Sequence, residues 1–237
     1  MKGGMTVVGW LRWGENIRFF PRVSSERILG YPLLAVSLPV GDPAKRLAQG
    51  AKLLRRQRVR RVLAAPGLDS GVGLAGWGLV PVSTTPLCRA LGARLALTAL
   101  APVPVRDRRV ALRGSVADGL CRTLAETLCP QVGQLLLDFD RGEEALARRL
   151  RLAYGAAPLH LGPGAPPQVS LEFEPRPAPA GGRTFKLWGE PDLGGMALVP
   201  PPGLPPDLPA LPFMDLLWEA GRLPLEEVAL EERAAGP

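Results

Sequence analysis

The sequence predicts an α/β protein with a three-layer, Rossmann-like arrangement, in which a mostly parallel sheet carries antiparallel β additions at both ends. Two observations indicate this class. An apolar run at 109–113, an amphipathic stretch at 115–129 and an apolar run at 134–138 follow the order of a βαβ unit. The same order appears earlier, where apolar runs at 33–38 and 61–65 flank a helical pattern. Each such unit joins two parallel strands by a right-handed crossover.

Strands are expected in this core, in two consecutive βαβ halves, at 33–38, 61–65, 79–82, 109–113, 134–138 and 158–161. Ahead of the core, Met5–Trp10 and Ile17–Phe20 flank a Gly-Glu-Asn turn, which predicts a hairpin. Behind the core, apolar and polar residues alternate over 169–174 and 184–187, which predicts an antiparallel hairpin with one buried face. The predicted organisation is a hairpin at 1–32, the core at 33–162, a hairpin with a Pro-rich segment at 163–212, and a short helix with an acidic tail at 213–237.

Capping residues mark the predicted helix starts. Asp42 before Pro43 is typical of an N-cap followed by the first helical residue. Ser115 with Asp118 matches a capping box that would open the helix of the second βαβ unit. Asp140 with Glu143 matches another, which would open the helix after it.

The stretch 86–100 is apolar nearly all round the helix. A helix of this kind is buried on more than one side. It could pass through the middle of the molecule or form a homodimer interface, and the sequence leaves both open.

Charge is unevenly distributed along the chain. Residues 1–114 contain 19 Lys and Arg against 5 Asp and Glu, whereas residues 115–237 contain 10 against 17. The basic segment Lys45–Arg61 holds eight Lys and Arg and no acid, which would suit contacts with nucleic-acid phosphates. No aromatic residue is interleaved for base stacking, and the Arg-rich composition is typical of a GC-rich genome. A solvated helix face is therefore favoured over a nucleic-acid site.

Cys88, Cys121 and Cys129 fall in apolar helical patterns without CxxC spacing, and His160 is the single histidine. This pattern predicts reduced core thiols, no metal site and a cytoplasmic location. No apolar run approaches the ~18 residues that a membrane-spanning helix requires, so no membrane contact is expected.

The candidate ligand site lies where strand 109–113 meets the following helix. In α/β proteins a strand end beside a helix N-terminus holds anions, and an acid at the end of the next strand binds a ribose. The residues at these positions, proposed for cofactor binding, are Arg113, Gly114, Ser115, Gly119 and Asp138. NAD(P) or another nucleotide is the cofactor to consider.

The same residues also have a purely structural interpretation. Val116 replaces the middle glycine of the dinucleotide pattern, and Asp118 would repel a phosphate. Gly114 would then turn the chain, and Ser115 and Asp138 would serve the helix caps. If a ligand does bind, it belongs outside the carboxyl ends of the strands, between the turns after Leu38 and Arg113.

No catalytic constellation stands out, because the sequence has no G-x-S-x-G, H-E-x-x-H or P-loop pattern. The sequence therefore favours a non-catalytic ligand-binding, scaffold or regulatory protein. The first alternative is a divergent NAD(P)-type oxidoreductase, and the second is a nucleic-acid-binding protein that uses Lys45–Arg61.

Overall fold

The computed structural model describes residues 7–14, 17, 19–68, 71–162, 166–176 and 182–233. The strands are β1 (Val8–Trp13), β2 (Arg22–Ile28), β3 (Tyr31–Leu38), β4 (Arg61–Ala64), β5 (Val80–Pro81), β6 (Arg109–Val116), β7 (Gln134–Arg141), β8 (Leu159–His160), β9 (Val169–Glu172), β10 (Arg183–Lys186), β11 (Met196–Val199) and β12 (Ala229–Glu232). The α-helices are α1 (Pro43–Arg56), α2 (Gly71–Gly76), α3 (Thr85–Ala90), α4 (Gly92–Ala99), α5 (Gly119–Leu128), α6 (Glu143–Tyr154) and α7 (Ala210–Glu219). Short 3-10 turns lie at Val105–Asp107, Cys129–Gln131 and Leu225–Glu227.

The chain divides into two compact units. Unit 1 comprises Met1–Ser83 and Pro200–Pro224, and unit 2 comprises Thr84–Val199 and Leu225–Pro237. Each unit contains its own five-stranded sheet, so the single core sheet expected over 33–162 is wrong. A βαβ pattern in the sequence predicts that its two strands are parallel. It does not predict which other strands pair with them, so it could not show that the two units belong to different sheets. The boundaries expected after residues 32, 162 and 212 do not coincide with this division.

The sheet of unit 1 has the order β2-β3-β1-β4-β5, and its strands are parallel except for β2 at one edge. The predicted N-terminal hairpin is wrong, because β1 lies in the middle of the sheet between β3 and β4. Of its two predicted arms, residues 5, 6 and 18 lie outside the described part, and residues 17, 19 and 20 are not in a strand. The hairpin that forms joins β2 to β3 through Leu29 and Gly30, which both have positive φ. A two-residue turn with this sign pattern matches the right-handed twist of the paired strands.

Helix α1 covers one face of this sheet and begins as predicted. The Asp42 carboxylate accepts a hydrogen bond from the Ala44 amide at 3.0 Å, and Pro43 is the first helical residue. Leu47, Ala51 and Leu54 of the helix pack into a buried cluster with β1, β3 and β4. The approach is close, because a Cβ at Gly50 would lie 2.7 Å from a methyl carbon of Leu11.

The sheet of unit 2 has the order β10-β9-β6-β7-β8, and all its strands are parallel. The strand of this sheet that comes first in the chain, β6, is therefore in the middle, with β7 and β8 on one side and β9 and β10 on the other. This is the strand order of a Rossmann-like α/β unit, and it confirms the predicted fold class. The antiparallel hairpin expected over 169–174 and 184–187 is wrong, because β9 and β10 run parallel. Alternating polarity indicates which face of a strand is buried. It does not indicate whether the neighbouring strand runs parallel or antiparallel.

The apolar stretch 86–100 forms two helices, α3 and α4, separated at Leu91. Leu87, Leu95 and Ala96 are fully buried, and a Cβ at Gly92 would touch side chains of α5 and β9. The stretch is thus buried inside unit 2, and its apolar character requires no second copy of the chain.

The predicted acidic tail contains a β-strand. Its residues 229–232 form β12, which pairs antiparallel with β11, and Glu232 accepts a hydrogen bond from Arg183 at 2.9 Å. No helix in the described part of the chain is long and apolar enough to span a membrane.

Candidate functional site

The candidate site is the carboxyl edge of the unit 2 sheet, which we call the unit 2 edge: the ends of β6, β7 and β9 with the start of α5. Strand β6 does not stop at Arg113, because β7 runs beside it as far as Arg141. Gly114 pairs with Phe139 in this ladder, and the Ala117 amide donates to the Arg141 carbonyl at 2.9 Å. The glycine turn expected after Arg113 is therefore replaced by continued strand.

The predicted helix caps also shift. Helix α5 begins at Gly119 rather than Ser115, and its N-cap is Asp118, whose carboxylate accepts from the Cys121 amide at 2.8 Å. The hydroxyl of Ser115 donates instead to Glu174. A carboxylate thus already occupies the N-terminus of α5, where a phosphate would bind.

The second predicted capping box is wrong in its first member. Asp140 lies within β7, and the residue before α6 is Gly142, with a φ of 83°. The Glu143 carboxylate does reach a backbone amide ahead of the helix, because it accepts a hydrogen bond from the Phe139 amide at 2.8 Å. The same Glu143 contacts His160 Nδ1 at 2.8 Å, which ties the exposed histidine to the rim of the sheet.

A buried ion-pair row crosses the middle of the unit 2 edge. Arg113 lies in register with Asp138 on β7 and with Glu172 on β9. Its guanidinium is 3.0 Å from the Asp138 carboxylate and 2.7 Å from that of Glu172. The Arg113 and Glu172 side chains are only 6% and 3% exposed. Two carboxylates therefore surround the one cation that was expected to attract a phosphate.

A second arginine, Arg176, also pairs with a carboxylate at the unit 2 edge. Arg176 donates to the Gly114 carbonyl at 2.7 Å and pairs with Asp140 at 2.8 Å. The hydrogen bond with Asp140 raises the pKa of the Arg176 guanidinium. Sequence patterns did not single out Glu172, Glu174 or Arg176 for this site, since the parallel register that brings them to β6 has no local signal.

The structure brings only part of the predicted cofactor set together. Arg113 and Asp138 form an ion pair, whereas Ser115 is engaged by another carboxylate. A Cβ at Gly114 would lie 3.4 Å from both Phe139 and Phe173, so this glycine faces packed aromatic residues. A Cβ at Gly119, in contrast, would meet no atom within 4 Å. Of the predicted set, Gly119 is the residue that borders open space.

Cys121 lies directly beneath this edge on α5. Its Sγ is 3.9 Å from the Val116 carbonyl, and its side chain is buried. Burial, with the nearby Asp118 carboxylate, raises the pKa of the Cys121 thiol to about 12. The thiol is therefore protonated and unreactive near neutral pH.

The basic side chains of the segment Lys45–Arg61 are mostly exposed, and some of them have protein partners. Arg61 forms a bidentate pair with Glu219, at 2.5 and 3.1 Å, and this hydrogen bonding raises the pKa of Arg61. The Lys52 ammonium lies 5.4 Å from the centre of the Trp77 ring. In the described ranges, no three His, Cys, Asp or Glu side chains are grouped so that they could hold a metal ion.

No protein-family model matches the chain, and no curated protein matches it. Among solved structures, L-tryptophan dehydrogenase from Nostoc punctiforme is similar with a TM-score of 0.31 and 13% identity, over 61% of this chain and 45% of the dehydrogenase. The matched part therefore spans less than half of that enzyme, and a likeness at this TM-score carries no argument about function.

Proposed function

We propose that this chain is a cytoplasmic, non-catalytic binding or scaffold protein, in which unit 2 has a nucleotide-binding strand order but takes no dinucleotide. The observation that carries this proposal is the Asp138–Arg113–Glu172 row. A guanidinium held between two carboxylates has its charge and hydrogen-bond donors satisfied within the protein. A phosphate would have to displace one carboxylate and leave it buried beside another anion, which is strongly unfavourable.

Carboxylates already fill the hydrogen-bonding positions at the unit 2 edge. Asp118 caps α5, Asp138 and Glu172 hold Arg113, Asp140 holds Arg176, and Glu174 accepts from Ser115. A pyrophosphate group would have to compete with these carboxylates for the same donors. The Asp118 carboxylate and the Arg141 carbonyl also engage the Cys121 and Ala117 amides, so two donors near the start of α5 are already used within the protein.

The oxidoreductase alternative is supported by the strand order of unit 2 alone. It requires an acid at the end of β7 that can accept the ribose hydroxyls, and Asp138 is instead bonded to Arg113. The nucleic-acid alternative is supported by the exposed Arg55, Arg56 and Arg58 of the basic segment. It requires affinity for DNA or RNA that falls steeply with salt and is lost when these three residues become Ala.

A thermal-shift series with NAD⁺, NADP⁺, their reduced forms and ATP tests the proposal. A ligand at 100 times its Kd would add about 2.7 kcal/mol to the free energy of unfolding. We expect no saturable rise in Tm with any of them. A saturable rise that disappears in the Asp138→Asn variant would instead establish the dinucleotide site.

A further inference from the structure

Unit 1 contains a cleft at the equivalent edge of its own sheet. The unit 1 cleft has a volume of about 640 Å³, and the side chains that line it include Arg12, Trp13, Arg22, Ser24, Ser37 and Asp207. It lies where β1 and β3 end, and ligands of open α/β sheets bind outside the carboxyl ends of parallel strands. Its volume falls within the ~300–1,000 Å³ typical of small-molecule sites.

The floor of the unit 1 cleft carries a row of polar side chains. Ser37 on β3 is in register with Arg12 on one side and with Arg22 on the other. Residues in register across neighbouring strands point to the same face of a sheet. Two guanidiniums thus flank one hydroxyl, on the face opposite to α1.

Arg12 is held in place by the protein. Its Nε donates to the Ser37 hydroxyl at 2.9 Å, and its two terminal nitrogens donate to Glu26 at 3.1 and 2.5 Å. Its guanidinium also lies 4.4 Å from the centre of the Trp10 ring. Arg12 is therefore a fixed part of the cleft floor, and its charge is already paired with that of Glu26.

Arg22 offers a free cationic side chain to the unit 1 cleft. It is exposed at the start of the edge strand β2, and no ion pair with it occurs in the part of the chain that the structure describes. Glu26 balances Arg12, so Arg22 and Asp207 are the charged lining side chains that remain for a ligand. Arg22 can contact an anion, and the Asp207 carboxylate can accept a hydrogen bond.

We infer that the unit 1 cleft binds a small hydroxy acid, with its phosphate or carboxylate on Arg22 and its hydroxyl donating to Asp207. This inference rests on the proposed function, since it supplies the ligand of a binding protein. A phosphate and a carboxylate would be recognised in the same way, since each is an anion that accepts hydrogen bonds from the planar guanidinium of an arginine.

Glycerol 3-phosphate and glycerate are the probes for the two versions, because each joins an anionic group to hydroxyls. Titration calorimetry of the full chain at low salt should give saturable binding for one of them. Arg22→Ala should weaken that binding at least 10-fold. Arg27→Ala is the matched control, because it removes the same charge from the opposite face of the same strand and should leave the affinity unchanged.

Two results would overturn the inference: no saturable binding of either probe up to about 10 mM, or an equal loss of affinity in Arg22→Ala and Arg27→Ala. Circular dichroism of both variants verifies that they fold. Neither result would overturn the proposed function. That proposal is overturned by a different result, in which a dinucleotide binds at the unit 2 edge and binds more weakly to Asp138→Asn.

Discussion

The middle strand of each sheet carries an arginine near its carboxyl end, and the two arginines have opposite surroundings. Arg113 lies between two carboxylates and is 6% exposed, whereas Arg12 has one carboxylate partner and is 25% exposed. The rows that contain them differ accordingly: Asp138–Arg113–Glu172 in unit 2, and Arg12–Ser37–Arg22 in unit 1. The same kind of sheet edge thus holds its arginine between two acids in unit 2, whereas in unit 1 it leaves Arg22 exposed to a cleft.

Among the substitutions that test this comparison, removal of Arg113 should change the free energy of unfolding most. Arg113→Met would leave the buried Glu172 without its cation, and the loss of one partner of a buried ion pair costs about 3–5 kcal/mol. We expect a loss of this size in the free energy of unfolding, measured by urea denaturation. A second substitution, Glu172→Leu added to Arg113→Met, should recover most of it. A loss below about 1 kcal/mol for Arg113→Met alone would show that the row does not hold the unit 2 edge closed.

Cys121 reports whether the closed edge opens. Its thiol pKa of about 12 and its burial beneath Val116 predict that iodoacetamide at pH 8 modifies it only after local unfolding. We therefore expect Cys121 in the native chain to react at least 100-fold more slowly than in urea, as followed by mass spectrometry of peptides. Modification of native Cys121 at the denatured rate would mean that the unit 2 edge is open in solution.

The raised thiol pKa has a second consequence, which is pH-dependent stability. The folded chain holds Cys121 as the neutral thiol, while an unfolded chain deprotonates it near the ordinary value of 9.0. This contribution to the free energy of unfolding is complete below pH 9 and is lost as the pH rises toward about 12. Cys121→Ser should reduce the fall in Tm over this range, and an unchanged slope would contradict the assignment.

Substitutions at Asp118 and Ser115 show which of the two residues caps α5. Asp118→Ala should lower the free energy of unfolding by about 1 kcal/mol, because the Cys121 amide loses its acceptor. Ser115→Ala removes the hydrogen bond to Glu174 and leaves the cap in place, so hydrogen exchange of the Cys121 amide should speed up in Asp118→Ala and stay unchanged in Ser115→Ala. Equal acceleration of this exchange in both variants would restore Ser115 as a capping residue.

The smallest expected effect lies in unit 1, at the end of α1. Arg58 adopts a φ of 58°, while the Val59 amide bonds back to the Leu54 carbonyl at 3.1 Å. This is the position where glycine is favoured after a helix. Arg58→Gly should therefore raise the free energy of unfolding by about 0.5–1 kcal/mol, measured by urea denaturation. Arg56→Gly, inside the helix, is the matched control and should lower it.

Sequence patterns located the strands of both βαβ units because each is a continuous apolar run, and they located the start of α1 because Asp42 and Pro43 act locally. They did not reveal that the runs belong to two sheets. The alternation over 169–174 also predicted a hairpin whose polar residues lie on its exposed face, although Glu172 is buried against Arg113. Its burial depends on β9 lying parallel to β6, which is a long-range pairing. The closed state of the candidate site follows from that pairing and not from any motif.

Amide chemical shifts in a ¹⁵N-labelled chain, titrated with glycerol 3-phosphate and separately with NADPH, test the contrast between the two edges most directly. We predict that glycerol 3-phosphate, or glycerate in its place, moves the amides of Ser24 and Ser37, and that neither ligand moves those of Gly114, Ser115 and Gly119. Saturable shifts at Gly114 and Gly119 with NADPH, with Ser24 and Ser37 unmoved by either acid, would contradict the account.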